Sequence, residues 1–168
     1  MVLFQISSAK EFMNRLLLRE CFDSFQLYEA SITTYNTFSI DGRLHPEFYA
    51  DDAEKNSAIA GRDYSLWGEA RPLCLEIIKG RNTPLNFKIV LKFSEDGTLK
   101  LLEEAGLELP QDNAVGLYLS IRFGGEGITV TTGTSFKTFT VNKEIERAWD
   151  RKAAALLTEY GIDFAVPG

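Results

Sequence analysis

The sequence has few of the residues that bind transition metals, with two cysteines and one histidine among 168 residues. Cys21 and Cys74 are far apart and do not form a Cys-x-x-Cys pair, and His45 is the only imidazole. A zinc site takes three or four suitably spaced protein ligands, so the sequence predicts no metal site. Two isolated cysteines are typical of buried free thiols in a reducing compartment rather than of a disulfide framework.

A long apolar segment and an excess of positive charge are also missing. No stretch approaches the roughly 18 apolar residues of a membrane-spanning helix, and the opening segment MVLFQISSAKEF lacks the basic start of a signal peptide. We therefore expect a cytoplasmic protein without a membrane partner. The net charge of −6 disfavours nucleic acid as a partner, because an acidic surface repels phosphate backbones.

Recognisable cofactor motifs are not found either. The segment GGEG at 124–127 lies between two alternating apolar stretches, whereas a phosphate-binding loop leads from a strand into a helix. We interpret these glycines as a hairpin turn. The acidic residues Asp51, Asp52 and Glu54 lack the glycine and the terminal glutamate of a calcium-binding loop. The sequence therefore predicts no cofactor.

The patterns that are present predict an α+β fold, with a largely antiparallel sheet backed by amphipathic helices. Strict alternation of apolar and polar residues predicts strands, most clearly in LNFKIVLKF at 85–93. Ser8 and Glu11 have the spacing of a capping box at the start of a helix, and Ser94 precedes a second helical pattern. The length suits a single domain over 1–168, or two halves, 1–63 and 64–168.

Residues 65–79 fit both a helix and a strand. Leu73, Leu75 and Ile77 alternate as strand residues do, while the wider apolar spacing fits a helix that ends at Gly80. Pro72 would break a helix or restart it. We favour a helix that begins near Pro72.

Element order indicates a repeat, since a strand is twice followed by a helix that begins at serine and then by a meander of strands. This order resembles the half-domain of sliding-clamp processivity factors, which implies two strand-helix-meander pseudo-repeats in a clamp-like fold. Separately, the segments NTFSIDGRLHPEF, RPLCLEIIKGRNTPLNFKIV and TTGTSFKTFTVNKEIERAWD resemble a family of uncharacterised bacterial proteins. That resemblance implies no activity and assigns no catalytic residue.

Half of the residues in ITVTTGTSFKTFTV, at 128–141, are serine or threonine. Threonine suits a strand because its branched Cβ fits the pleat. We predict a solvated β-hairpin that turns at Gly133 and Thr134. The alternative is a ligand site in which Thr134, Ser135 and Lys137 converge on an anion.

The loop IDGRLHPEFY contains a set of residues suited to acid–base chemistry. His45 can act as a general base when a carboxylate such as that of Asp41 fixes its tautomer, and Arg43 can hold a polar substrate. The alternative is a purely structural role, in which Asp41 and Gly42 form a turn and the His-Pro pair ends a strand. Side chains that converge on one pocket would favour the catalytic hypothesis.

A second candidate set lies near the start of the ambiguous segment. Trp67 and Arg71 are four residues apart and would stack if this segment is helical. With Tyr64 they form a candidate ligand pocket, although a tryptophan is most simply a core residue.

No single activity can be assigned from these patterns. The preferred hypothesis is a non-catalytic, cytoplasmic binding domain whose partner is a protein or a small anionic ligand. One alternative is an enzyme that uses Asp41, Arg43 and His45. The other is a clamp-like protein that touches DNA through helix residues such as Lys10, Arg15 and Arg19.

Overall fold

The structure, a computed structural model, describes residues 1–108, 115–136 and 143–168. Within these ranges one sheet contains the strands β1 Leu3–Ile6, β2 Gln26–Thr33, β3 Thr37–Asp41, β4 Asn86–Lys92, β5 Val115–Gly124, β6 Gly127–Phe136 and β7 Phe164–Ala165. Their order is β3-β2-β4-β5-β6-β1-β7, and every neighbouring pair is antiparallel. The predicted α+β class with an antiparallel sheet is confirmed.

The helices are α1 Ala9–Met13, α2 Ala53–Ala58, α3 Trp67–Ile78, α4 Glu95–Glu104 and α5 Glu144–Glu159. A π-helix, Asn14–Leu18, continues α1, and a 3₁₀-helix covers Pro46–Tyr49. The serine caps follow the sequence pattern, because the hydroxyls of Ser8 and Ser94 accept hydrogen bonds from the backbone N–H groups of Glu11 and Gly97. Among the described residues no helix is long and apolar enough to cross a bilayer.

Burial alternates along the strands and divides the sheet into two faces. Leu27, Ile89 and Leu119 are fully or almost fully buried, in the core that includes Trp67 of α3 and Trp149 of α5. The opposite side, here called the open face, carries mostly polar side chains that remain partly exposed. Its members on the central strands include Tyr28, Glu29, Ser31, Lys88, Lys92, Tyr118, Ser120, Arg122, Thr129 and Thr131.

Residues 65–79 contain a helix, as favoured, but its predicted start near Pro72 is wrong. The helix α3 begins five residues earlier, at Trp67, where the backbone N–H of Trp67 donates to the Phe25 carbonyl at 2.7 Å. The Glu69 carboxylate accepts from the backbone N–H of Leu66 at 2.8 Å and caps this first turn. Pro72 is tolerated inside α3.

The predicted hairpin turn at Gly133 and Thr134 is wrong. Strand β6 runs through both positions, with Gly133 opposite Tyr118 and Thr134 opposite Leu117. The turn between β5 and β6 lies at the GGEG segment, as predicted, with Gly124 opposite Gly127. Because β5 pairs with β6 without interruption from Gly127 to Phe136, the strand continues through Gly133. Lys137 lies outside the described residues.

The pseudo-repeat is not confirmed. A strand-helix-meander unit in the first half would place β1 beside β2, but β1 pairs with β6 and β7 instead. The same sheet therefore contains strands from both 1–63 and 64–168. The single-domain assignment and the clamp-like fold stay predictions.

Candidate functional site

A groove on the open face brings together three of the candidate residues, Asp41, Arg43 and Tyr64. Its volume is about 520 Å³, within the usual range for small-molecule sites of about 300–1,000 Å³. We call it the tyrosine groove. The polar and aromatic residues of its lining are Tyr28, Glu29, Ser31, Ser39, Asp41, Arg43, Tyr64 and Lys88.

A β-bulge in β2 shapes this groove. The pairing register with β4 shifts between Leu27 and Glu29, so that Leu27 is buried while Tyr28 and Glu29 are both exposed. A bulge re-aims side chains in this way because it inserts one extra residue into the ladder. Gly42 lies against the bulge, and its N–H donates to the Tyr28 carbonyl at 3.2 Å.

Long-range backbone pairing brings Tyr64 to the groove. The N–H of Leu44 donates to the Asp63 carbonyl and that of Ser65 to the Gly42 carbonyl, both at 2.8 Å. Arg43 and Tyr64 form an antiparallel bridge between these two bonds. Nothing in local sequence spacing indicates this contact, since the two residues lie 21 positions apart.

Three tyrosine rings pack together at the groove. The centroid of Tyr28 lies 5.4 Å from that of Tyr64 and 5.4 Å from that of Tyr118. Two cations approach Tyr64: the Arg43 guanidinium carbon is 5.9 Å and the Lys92 Nζ 5.7 Å from its ring centroid. Both distances lie within the range of cation–π attraction. Sequence reasoning missed Tyr28, Tyr118 and Lys92 as site residues. Tyr118 and Lys92 occupy polar positions of alternating strands, whereas Tyr28 reaches the open face only because of the bulge.

Some of the charged side chains at the groove have an ion-pair partner and others do not. Lys88 forms an ion pair with Glu29, with Nζ and Oε1 3.2 Å apart. The Asp41 carboxylate accepts a hydrogen bond from the backbone N–H of Arg43 at 2.9 Å. It therefore binds the backbone of Arg43 and not its guanidinium. In the described parts of the chain, no carboxylate lies within ion-pair distance of the Arg43 or Lys92 side chain. Two positive charges are thus available to a ligand.

Tyr64 is protonated at neutral pH. Partial burial raises the pKa of its phenol, the nearby Tyr28 raises it further, and Arg43 opposes the change. A neutral phenol can donate a hydrogen bond to an anion. Arg43 lines the groove, and Lys92 lies beside its Tyr64 ring. Two cations and a phenol donor are therefore close to one aromatic surface.

The structure does not bring the three acid–base candidates to one pocket. Asp41 and Arg43 line the tyrosine groove, whereas His45 lines a neighbouring cavity of about 530 Å³ together with Arg43 and Glu47. The His45 Nδ1 lies 3.5 Å from Glu47 Oε1, and its side chain is 67% exposed. The imidazole of His45 is therefore paired with the carboxylate of Glu47 and not, as hypothesised, with that of Asp41.

Trp67 and Arg71 are not at the groove with Tyr64. The Trp67 indole is fully buried and donates to the Leu16 carbonyl at 2.9 Å. The Arg71 guanidinium binds Asp23 and also donates to the Leu17 carbonyl at 3.3 Å. Both side chains thus satisfy carbonyls at the end of the π-helix, which lack intrahelical partners.

The hydroxyl candidates lie further along the sheet. Ser135 is opposite Gly116, and its Oγ lies 3.4 Å from the hydroxyl of Tyr118. Ser135 is therefore at the margin of the tyrosine cluster, while Thr134 is half-buried opposite Leu117. The threonine with the clearest structural role is Thr132, which sequence reasoning did not single out.

The DNA-contact candidates have separate environments. The Arg15 Nε donates to the Tyr160 carbonyl at 3.0 Å and caps the end of α5. Arg19 is exposed, with its Nε 3.5 Å from the Asn14 side-chain oxygen. Lys10 lines a different, apolar groove.

Comparison with known proteins adds one finding. A model for a family of unknown function (DUF5721) matches residues 15–165, which is most of the chain. No curated protein and no solved structure matches the chain. The expected resemblance to an uncharacterised family is confirmed, and this match attributes no activity to any residue of the groove.

Proposed function

The chain belongs to the family of unknown function DUF5721, and we propose that it is a non-catalytic domain that binds a small anionic ligand in the tyrosine groove. The observation that carries this proposal is the placement of Arg43 and Lys92 against the ring of Tyr64, without a carboxylate partner in the described residues. A cytoplasmic location remains part of the proposal.

The physical case rests on charge and shape. A cation at a partly enclosed aromatic surface is less hydrated than one in open water, so it binds an oxyanion more strongly. Arg43 can form two parallel hydrogen bonds to a carboxylate or phosphate, and Lys92 adds a point charge. The rings of Tyr28 and Tyr64 provide a surface for a flat apolar group.

The two acidic residues of the groove restrict the ligand. Glu29 and Asp41 line the same space, so a ligand with several negative groups would meet repulsion on that side. A molecule with one anionic group and a planar apolar body fits best. Phenyl phosphate and benzoate are therefore suitable probes.

Isothermal titration at low salt tests this proposal. We expect saturable binding of phenyl phosphate or benzoate, one molecule per chain, that weakens with added salt because charges are screened. Arg43→Gln and Lys92→Gln should each weaken it by about ten-fold, the scale of a hydrogen bond to a charged group.

Lys55→Gln is the matched control. The Lys55 Nζ lies 5.5 Å from the ring centroid of Tyr49, a second cation–π pair outside the groove. This variant should bind the probes as the unaltered protein does. Absence of saturable binding, or equal losses in all three variants, would refute the proposal.

A further inference from the structure

A second groove, the apolar groove, lies between the first helical segment and the C-terminal end of α3. Its volume is about 520 Å³. It is distinct from the tyrosine groove because the two share no lining residue within the described part of the chain. The apolar part of the lining comes from three regions of the chain. It is formed mainly by Met13, Leu17, Leu75, Ile78, Phe87 and Phe123.

The floor of this groove is a pair of stacked aromatic rings. Phe87 of β4 and Phe123 of β5 are directly opposite in the sheet, and their rings are stacked with centroids 5.3 Å apart. One wall is a π-helical turn, in which the N–H of Arg19 donates to the Asn14 carbonyl five residues back at 3.1 Å. Such turns are rare and are frequently found at functional sites.

The charge at the rim has one sign. Among the residues that the structure describes, the lining contains two charged side chains, Lys10 and Lys79, and no acidic one. Lys79 already pairs with Glu76 at 2.6 Å, whereas Lys10 is exposed and forms no ion pair in the described ranges. An unpaired cation beside an apolar groove, in a protein of net charge −6, is complementary to an anionic head with an apolar tail.

We propose that the apolar groove binds a free fatty carboxylate, with its hydrocarbon chain over Phe87 and Phe123 and its carboxylate at Lys10. The free energy gained by burying the hydrocarbon chain grows with the apolar area removed from water, so the chain provides most of the affinity. The Lys10 charge selects an anionic head over a neutral or cationic one.

The experiment uses three ten-carbon probes that differ in the head group, namely decanoate, decanol and decyltrimethylammonium, each below its micelle concentration. Isothermal titration should show one decanoate bound per chain, with decanol weaker and decyltrimethylammonium weakest. Lys10→Gln should weaken decanoate binding by about three-fold, the scale of a surface ion pair, and leave decanol binding unchanged. Lys100→Gln, which removes an exposed cation outside the groove, should change neither.

A second variant tests the location. Thr83 is exposed at the groove, so Thr83→Trp should obstruct the groove without disturbing the core, as an unchanged thermal midpoint would verify. Decanoate binding should then be lost, and phenyl phosphate binding at the tyrosine groove should be unaffected. The proposal is overturned if the unaltered protein does not bind decanoate, if the cationic probe binds equally well, or if folded Thr83→Trp binds decanoate normally.

Discussion

Arg71 and Asp23 form a two-pronged ion pair: Nε lies 2.9 Å from Oδ1, and Nη2 lies 2.9 Å from Oδ2. Gly68 makes room for it, because a Cβ at that position would lie 3.0 Å from the Asp23 Cβ and Cγ atoms. The pair joins α3 to the segment that follows the π-helix. It therefore fixes the spacing of two walls of the apolar groove.

We predict that Arg71→Lys destabilises the protein by about 1–2 kcal/mol, since an ammonium cannot replace the planar fork or keep the bond to the Leu17 carbonyl. Urea unfolding measures the loss. Lys79→Gln is the control, because the Lys79–Glu76 pair is exposed and such pairs contribute about 0–1 kcal/mol. Similar losses in the two variants would contradict the prediction.

Local sequence was sufficient to predict the strands and helices that bury one face. Alternation in 85–93 predicted β4, and the caps at Ser8 and Ser94 were read correctly. A strand with one buried side must repeat every two residues, and a helix start must satisfy free N–H groups. These constraints act over a few residues and are therefore visible in the sequence.

The remaining errors concern contacts between distant segments. The Gly133 turn was predicted from composition, but pairing with β5 keeps β6 extended at this position. Likewise, the tyrosine groove depends on a bulge in β2 and on pairing between 42–44 and 63–65. Tertiary pairing overrides local propensity in both places. Local spacing could indicate Arg43 and Tyr64 as candidates, but not as neighbours.

Gly42→Ala should destabilise the protein by about 3 kcal/mol or more, an overpacking effect at the upper end of the usual range. The new Cβ would lie 1.8 Å from the Leu27 carbonyl oxygen, a backbone atom of the bulge that cannot move alone. Gly125→Ala is the control, since no atom of the described residues lies within 4 Å of the corresponding Cβ. Thermal unfolding should separate them; equal midpoints would show that the bulge adapts.

Thr132→Val should lower the free energy of unfolding by about 1–3 kcal/mol, the range for unsatisfied buried polar groups. The Thr132 hydroxyl donates to Asp150 Oδ1 at 2.5 Å and accepts from the Val2 N–H at 2.8 Å. Thr131→Val is a near-isosteric change one residue away, on the open face, and should stay within about 0.5 kcal/mol. If urea unfolding shows equal effects, the hydroxyl of Thr132 is not required.

The buried thiol of Cys74 and the partly buried phenol of Tyr160 should make the protein less stable at high pH. Burial raises the pKa of the Cys74 thiol from 9.0 to about 11 and that of the Tyr160 phenol from 10.0 to about 12. The unfolded chain therefore loses these protons at lower pH than the folded chain does. Between pH 9 and about 12 the native state binds more protons, so the free energy of unfolding falls as pH rises.

Cys74→Val removes the thiol and keeps an apolar side chain, so stability should fall less steeply with pH between 9 and about 11. Tyr160→Phe should flatten the higher interval, from 10 to about 12. Urea midpoints across this range measure both slopes, and each variant serves as the control for the other. The slope is the diagnostic quantity, because each substitution also changes packing and shifts the whole curve. Slopes identical to that of the unaltered protein in both variants would mean that other groups control alkaline unfolding.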